Sequence, residues 1–373
     1  MQPVSRVGRP AAIVPPVMIT TTGSTFSPWV MAPAYVTVTW TWAEGSTTGL
    51  QPTINFGSTA TRTVYMTATD ASGNDALNQI TLFNIGFSSL DDPGRNSLPA
   101  LYNWTAQPVS GLANVNSMTG LQLFLAADNA TLTGPLNFNG MSRLTHIECY
   151  QSSFTSATVA GCTAMIRLVL EQNKLTTIDP TPCAATLQEL RVAFQQTGVM
   201  TFPAVMPAFP NLYHWCTRDQ TVTNMPDFSA TGPGFPALNQ LWIWNTGQSG
   251  ALIVNSSVVM DSVLAHNNAY TSVNLANQFP YSGGQFTAQI AMASCALTSI
   301  NITGDGLLFS VDFSANALPQ AQVDSVLTTM NGFGSTDSLG LVDVSGGTNA
   351  TPSATGLAAA AALRLRSWTV NTN

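Results

Sequence analysis

The first candidates for catalytic chemistry are the three histidines, His146, His214 and His266. No H-x-x-x-H, H-E-x-x-H, G-x-S-x-G or phosphate-binding Gly-rich loop accompanies them. His146 and His214 fall where the surrounding pattern wants an inward leucine, so both are expected to be core histidines bonded to backbone. Among the carboxylates, Glu148 and Glu171 are expected on successive strands. Adjacent strands run about 4.8 Å apart, and two carboxylates at suitable spacing across a cleft are what a glycosidase uses. Arg143, Arg167 and Arg191 share that face, however, and charge balance accounts for the group. The five cysteines, Cys149, Cys162, Cys183, Cys216 and Cys295, contain no C-x-x-C pair, which argues against a zinc site or a disulfide framework. Cys149 and Cys295 read as small half-buried turn residues. These residues together predict a non-enzymatic protein with no cofactor and no metal.

What positions them is a repeating unit. Met165-Ile-Arg-Leu168-Val-Leu170-Glu-Gln-Asn173-Lys-Leu175-Thr-Thr-Ile178 reads L-x-x-L-x-L-x-x-N-x-L-x-x-I. Leu168 and Leu170 alternate and so point to one side of a short strand. Asn173 can bond the backbone of the turn that follows, and Leu175 and Ile178 return to the core. One unit cannot bury its apolar face alone, so copies must stack on it.

Aligning on two inward residues and the Asn position gives Leu121, Leu123 and Ala126; Leu144, His146 and Cys149; Leu168, Leu170 and Asn173; Leu190, Val192 and Gln195; Leu212, His214 and Thr217. Then follow Leu241, Ile243 and Thr246; Ser262, Leu264 and Asn267; Ile290, Met292 and Cys295; Val311, Phe313 and Asn316. The steps are 23, 24, 22, 22, 29, 21, 28 and 21 residues, the cadence of leucine-rich repeats. Turn segments rich in Thr, Ser and Pro predict an irregular convex side.

Residues alternating with the leucines face outward on the concave sheet. Those positions are Thr145, Ile147 and Glu148; Val169, Glu171 and Gln172; Arg191, Ala193 and Phe194; Tyr213 and Trp215; Trp242 and Trp244; then Val263, Ala265 and His266, Ala291 and Ala293, Asp312 and Ser314. Phe194, Tyr213, Trp215, Trp242 and Trp244 therefore form an aromatic patch on three adjacent strands, bordered by Arg191 and Glu171. Exposed aromatics with few charges suit sugar stacking or a protein hot spot. The competing reading is that loops, the N-terminal arm or a second copy cover the patch.

Composition narrows the class. Of 373 residues, 45% are hydrophobic and 8% charged, against about 25% charged in an average globular protein. Lys174 is the single lysine, the ten arginines are scattered and the net charge is −7. Nucleic-acid binding needs clustered positive charge, and none is expected here. No apolar run approaches the ~18 residues of a membrane helix, so no membrane insertion is expected. Pro15-Pro16 interrupts the apolar run after Arg6 and Arg9, which favours an ordered arm over a signal peptide.

In order, the chain reads as an extended arm (1–34), a small antiparallel β domain (35–92), a cap over the first repeat (93–117), the repeat solenoid (118–318) and an α/β cap (319–373). In the last, Val323, Val326, Leu327 and Met330 face inward from one helix and Leu357, Ala361 and Leu365 from another. The fold class is mainly β. Trp40-Thr-Trp42-Ala-Glu-Gly45 is similar to the W-D-F-G-D-G turn of PKD/immunoglobulin-like modules. Val323-Asp-Ser-Val-Leu327, Ser345-Gly-Gly-Thr-Asn-Ala-Thr-Pro352 and Ser367-Trp-Thr-Val370 resemble the end of leucine-rich-repeat proteins encoded by tailed bacteriophages. That likeness covers residues 305–373 well and 118–304 loosely. It implies a virion surface protein, held to other virion proteins through residues 1–92, that recognises a host surface glycan or outer-membrane protein. A homo-oligomer is expected. The alternatives are a capsid-decorating protein and a secreted bacterial adhesin.

Overall fold

The computed structural model describes residues 14–85, 109–229, 234–276, 288–303, 308–333 and 340–373. Its spine is a sheet of thirteen short strands running from Trp29–Met31 at one end to Thr369–Asn371 at the other. From Leu82–Asn84 onward every neighbour in it is parallel. The central strands of this sheet come from the successive turns of a β-solenoid of about eight turns. Shorter parallel ladders line the opposite flank: Thr133–Asn137 with Ser153–Thr158, Val199–Thr201 with Thr221–Thr223, and Ser249–Ile253, Ala269–Asn274 and Ser299–Asn301.

The register follows the inward residue of each turn. Phe124, Ile147, Leu168, Leu190, Trp215, Leu241, Val263, Ile290 and Val311 pair in sequence and are all fully buried. This corrects the expected alignment at four turns. The inward pairs are Phe124 and Ala126, Ile147 and Cys149, Trp215 and Thr217, and Val263 and Ala265, where Leu121/Leu123, Leu144/His146, Leu212/His214 and Ser262/Leu264 were expected. In the first three the displacement is three residues. Leu121, Leu144 and Leu212 are buried too, but in the bend before the strand, where Met165 sits in its own turn.

Two residues past the inward pair, beyond the strand, one residue sits at positive φ: Asp128, Gln151, Gln172, Phe194, Asp219, Asn245, Asn267, Ser294 and Ala315, all between 52° and 59°. An internal ladder follows. Asn173 donates to the carbonyls of Cys149 in the preceding turn and of Leu170 and Glu171 in its own, and accepts from the Phe154 N–H. Gln195, Gln220, Asn268 and Asn316 repeat the reach, donating to Leu170, Val192, Ile243 and Met292 at 2.7–2.9 Å. A buried backbone carbonyl left unpaired costs about as much as a lost hydrogen bond. The ladder supplies those partners where a curved chain cannot.

Both ends of the spine are closed. Residues expected as an extended arm form strands instead. Val17–Thr21 lies between Arg62–Thr69 and Val109–Ala113 in a five-stranded antiparallel sheet that also holds Thr37–Trp42 and Gly45–Thr48. Its apolar face, with Val17, Ile19, Val38, Trp40, Val64 and Met66, is continuous with the solenoid core. Trp29–Met31 turns antiparallel against Leu82–Asn84, and the outer Val30 N–H bonds Leu50 O at 2.9 Å. The strand Leu82–Asn84, expected in the β domain, is thus the first parallel rung of the solenoid. Residues 1–13 and 86–108, which include part of the expected arm and most of the 93–117 cap, lie outside the described residues.

At the far end, helix α1 (Gln320–Gly332) buries Val323, Val326, Leu327 and Met330 as its spacing predicts. Helix α2 (Ala354–Leu365) turns the other way from expectation. Gly356, Ala359, Ala360 and Leu363 face inward, while Leu357 is 48% and Leu365 88% exposed. The helices approach closely at Gly356, where a Cβ would run into the Asp324 carboxylate that accepts the Ser353 N–H. Only a face of small residues fits there. Arg364 donates to the Val370 carbonyl at 2.6 Å on the last strand, blunting an edge that would otherwise invite pairing.

Candidate functional site

The outward positions of the spine form two rows, and a third follows where the strands end. The first runs His146, Arg167, Glu189, His214, Gln240, Ser262, and the second Glu148, Val169, Arg191, Cys216, Trp242, Leu264. The third row, Tyr150, Glu171, Ala193, Arg218, Trp244 and His266, continues through backbone bonds from each following residue to the next turn.

The first half of this face is a network of charges. Arg167 Nε stands 3.1 Å from Glu189 Oε2 and 3.5 Å from Glu148 Oε1. Arg191 binds Glu171 and lies 3.7 Å from Glu189. His214 Nδ1 stands 3.6 Å and the Tyr213 hydroxyl 3.5 Å from Glu189. Glu148, Glu171, Glu189 and His214 are all buried. Burial pushes the Glu189 carboxyl up, but His214, Arg167 and Arg191 together outweigh it and hold the group below its ordinary value. Burial pulls Arg191 down, and Glu171, Cys216 and Glu189 more than reverse that. Burial, then the Glu171 charge, pushes the Cys216 thiol up to about 12.

Glu148 and Glu171 occupy different rows, and each is bound by a different arginine, Arg167 and Arg191. His146 and His214 are outward residues, not core ones; His146 bonds the Thr145 hydroxyl at 2.9 Å. His214 is buried because Glu189 and Trp242 close over it, the latter edge-on at 4.5 Å.

The second half is aromatic. Arg218 lies between two rings, 4.3 Å from the Phe194 centroid and 4.6 Å from that of Trp244. Trp244 stacks on His266 at 5.1 Å and leans on Trp242 at 6.2 Å. Trp242 Nε1 donates to the Ser262 hydroxyl at 2.8 Å. Phe194 and Tyr213 are each 37% exposed.

The expected patch is therefore partly assembled. Phe194, Trp242 and Trp244 converge, with Tyr213 on the flank and Arg191 and Glu171 bordering it as an ion pair. Trp215 leaves the patch: it is fully buried beside Phe202, Phe228 and Phe235, and its indole N–H reaches the Thr217 hydroxyl at 3.2 Å. The three-residue displacement at Leu212 is what put it outside. Reading from Leu212 also missed Arg218, the centre of the stack, and its position before a residue at positive φ is the signal that would have found it. His266 was expected outward but not as part of the patch. No family model, no curated protein and no solved structure matches this chain.

Proposed function

We propose that the protein is a non-enzymatic recognition module that binds an external partner through the concave face of its solenoid. The observation that carries this reading is Phe194. It holds a bulky ring at φ 54°, where the other turns place Asp, Gln, Asn, Ser or Ala, and leaves that ring 37% exposed. Backbone strain of this kind persists where it serves function. The charged residues beside it are matched among themselves, which suits a binding face better than a reacting one.

The setting we infer is the surface of a bacteriophage particle, with the solenoid belonging to the leucine-rich-repeat class and the N-terminal sheet to a PKD/immunoglobulin-like module. The C-terminal motifs and the repeat spacing support this. Residues 1–92 would hold the chain, as a homo-oligomer, to other virion proteins, and the solenoid would meet a host glycan or outer-membrane protein. Capsid decoration is the second reading, favoured by an N-terminal unit built into the solenoid core.

Gold labelling of particles with antibody against this chain tests the setting. Label at the tail end supports the receptor-binding reading and label over the head supports decoration. Unlabelled particles would remove the virion setting.

A further inference from the structure

We propose that Phe194 is the stacking platform of a carbohydrate subsite on the rim of the solenoid, and that the subsite takes a neutral oligosaccharide. This rests on the recognition reading above and gives it a ligand class.

The rim is the line of residues through which successive turns leave the concave sheet: Gln172, Phe194, Asp219, Asn245 and Asn267, at φ 54–59°. Phe194 is its one ring. Arg218 lies over one ring face, and Trp244 and then His266 back it. Among the described residues no second ring or cation covers the other face. The ring is thus locked from behind and presented outward, a low-entropy apolar surface of the sort that receives the C–H face of a sugar.

Its rim neighbours supply the matching polarity. Asn245 Nδ2 donates to Asp219 Oδ1 at 2.6 Å, and Arg218 Nη1 stands 3.3 Å from Asp219 Oδ2. Amide and carboxylate groups side by side offer paired donors and acceptors to adjacent hydroxyls. Turns repeat about 4.8 Å apart, comparable to one sugar unit, so an extended chain can follow the rim turn by turn.

Charge decides against other ligand classes. Arg218 is the cation of this rim; Asp219 matches its charge and two rings close its faces, so an anion gains little. A cationic ligand would meet only Asp219, already shared between Arg218 and Asn245.

The test uses the full chain on an immobilised panel of gluco-, galacto-, manno- and N-acetylglucosamine oligosaccharides, beside sulfated and uronate-containing ones. A neutral oligosaccharide should be retained. Phe194→Asn should weaken it about tenfold, the effect of losing one aromatic contact, and Phe194→Tyr should keep it. Phe194→Asn should melt no lower than the parent, because asparagine holds the same backbone at Asn245 and Asn267. Retention of anionic glycans alone, of none, or equal binding by Phe194→Asn would overturn the proposal.

Bacterial envelopes form the second arm. Binding abolished by protease but not by periodate would overturn the sugar inference and leave recognition standing. Binding abolished by periodate supports recognition of a glycan, and the panel then decides whether that glycan is neutral. No binding to envelopes or glycans would end both.

Discussion

Phe194 and Arg218 come from adjacent turns, and the guanidinium lies over the ring, 4.3 Å from its centroid. The contact explains how a ring is tolerated at a left-handed position. That backbone costs about 1–2 kcal/mol for a residue with a side chain, and a cation over the ring returns about 0.5–1 kcal/mol. Phe194→Asn should therefore leave stability unchanged or raise it by up to about 1 kcal/mol. Urea unfolding checks this. A loss above about 2 kcal/mol, the scale of core truncations, would show that the ring is structural after all.

Trp215 and Trp242 separate core from face. Trp215 is enclosed by Phe202, Phe228 and Phe235. Trp215→Ala should cost about 3–5 kcal/mol, as large core truncations do. Trp242 is half-buried and held by Ser262. Its replacement by alanine should cost about 1–2 kcal/mol, mainly one hydrogen bond and part of a ring's burial. Thermal melts of the two variants rank them, and equal losses would contradict the assignment.

These two residues also show what sequence could reveal. The repeat was legible because L-x-x-L-x-L-x-x-N is a geometric statement, and at Leu168, Leu190, Leu241, Ile290 and Val311 the register came out right. Where the second leucine is Phe124, Ile147 or Trp215, the bend leucine three residues earlier looked like the strand residue. Periodicity alone cannot separate them, because both are buried. The residues at positive φ are the better marker: they follow each strand, and most are Asp, Asn, Gln or Ser. The inward face of α2 was misread for a related reason. Leucine spacing suggested Leu357 and Leu365, but close approach to α1 selects Gly356, Ala359 and Ala360.

Glu189 links stability to acid. It faces Arg167, Arg191, His214 and the Tyr213 hydroxyl. Its folded value lies below the ordinary 4.5. A depressed carboxyl contributes stability that is full above the unfolded value and is lost as pH falls through the folded one. Glu189→Gln should be less stable than the parent at neutral pH by about 1–3 kcal/mol, since both arginines keep some solvent. The gap should narrow as pH falls below about 4.5, where the carboxyl of the unfolded chain takes up its proton first, and close once the folded group is protonated too. Urea midpoints across that range decide it, and a gap independent of pH would refute the linkage.

The thiols report on the core. Burial raises Cys162 to about 11 and Cys183 and Cys216 to about 12, and raises Cys149 as well. All four are buried and Cys295 is partly exposed. Thiolate, not thiol, is the reactive form. Native protein near neutral pH should therefore react slowly with Ellman's reagent, Cys295 first, and denaturation should release all five cysteines at once. Rapid labelling of Cys149 or Cys216 in native protein would show that the concave sheet opens locally.

Gly356 tests the far cap. A Cβ there would meet the Asp324 carboxylate and the Pro352 ring. The carboxylate is not free to withdraw, because it accepts the Ser353 N–H at the start of α2. Gly356→Ala would ordinarily favour a helix by about 1 kcal/mol. Here it should instead destabilise by about 1–3 kcal/mol, the usual cost of overpacking, by pushing α2 off α1. The loss should fall on the last turns, because each turn of a solenoid is held chiefly by its neighbours. Amide exchange would then show faster exchange in residues 341–371 and unchanged protection around Leu168 and Leu190. Uniform loss along the spine would mean that the solenoid unfolds as one unit and that the cap governs all of it.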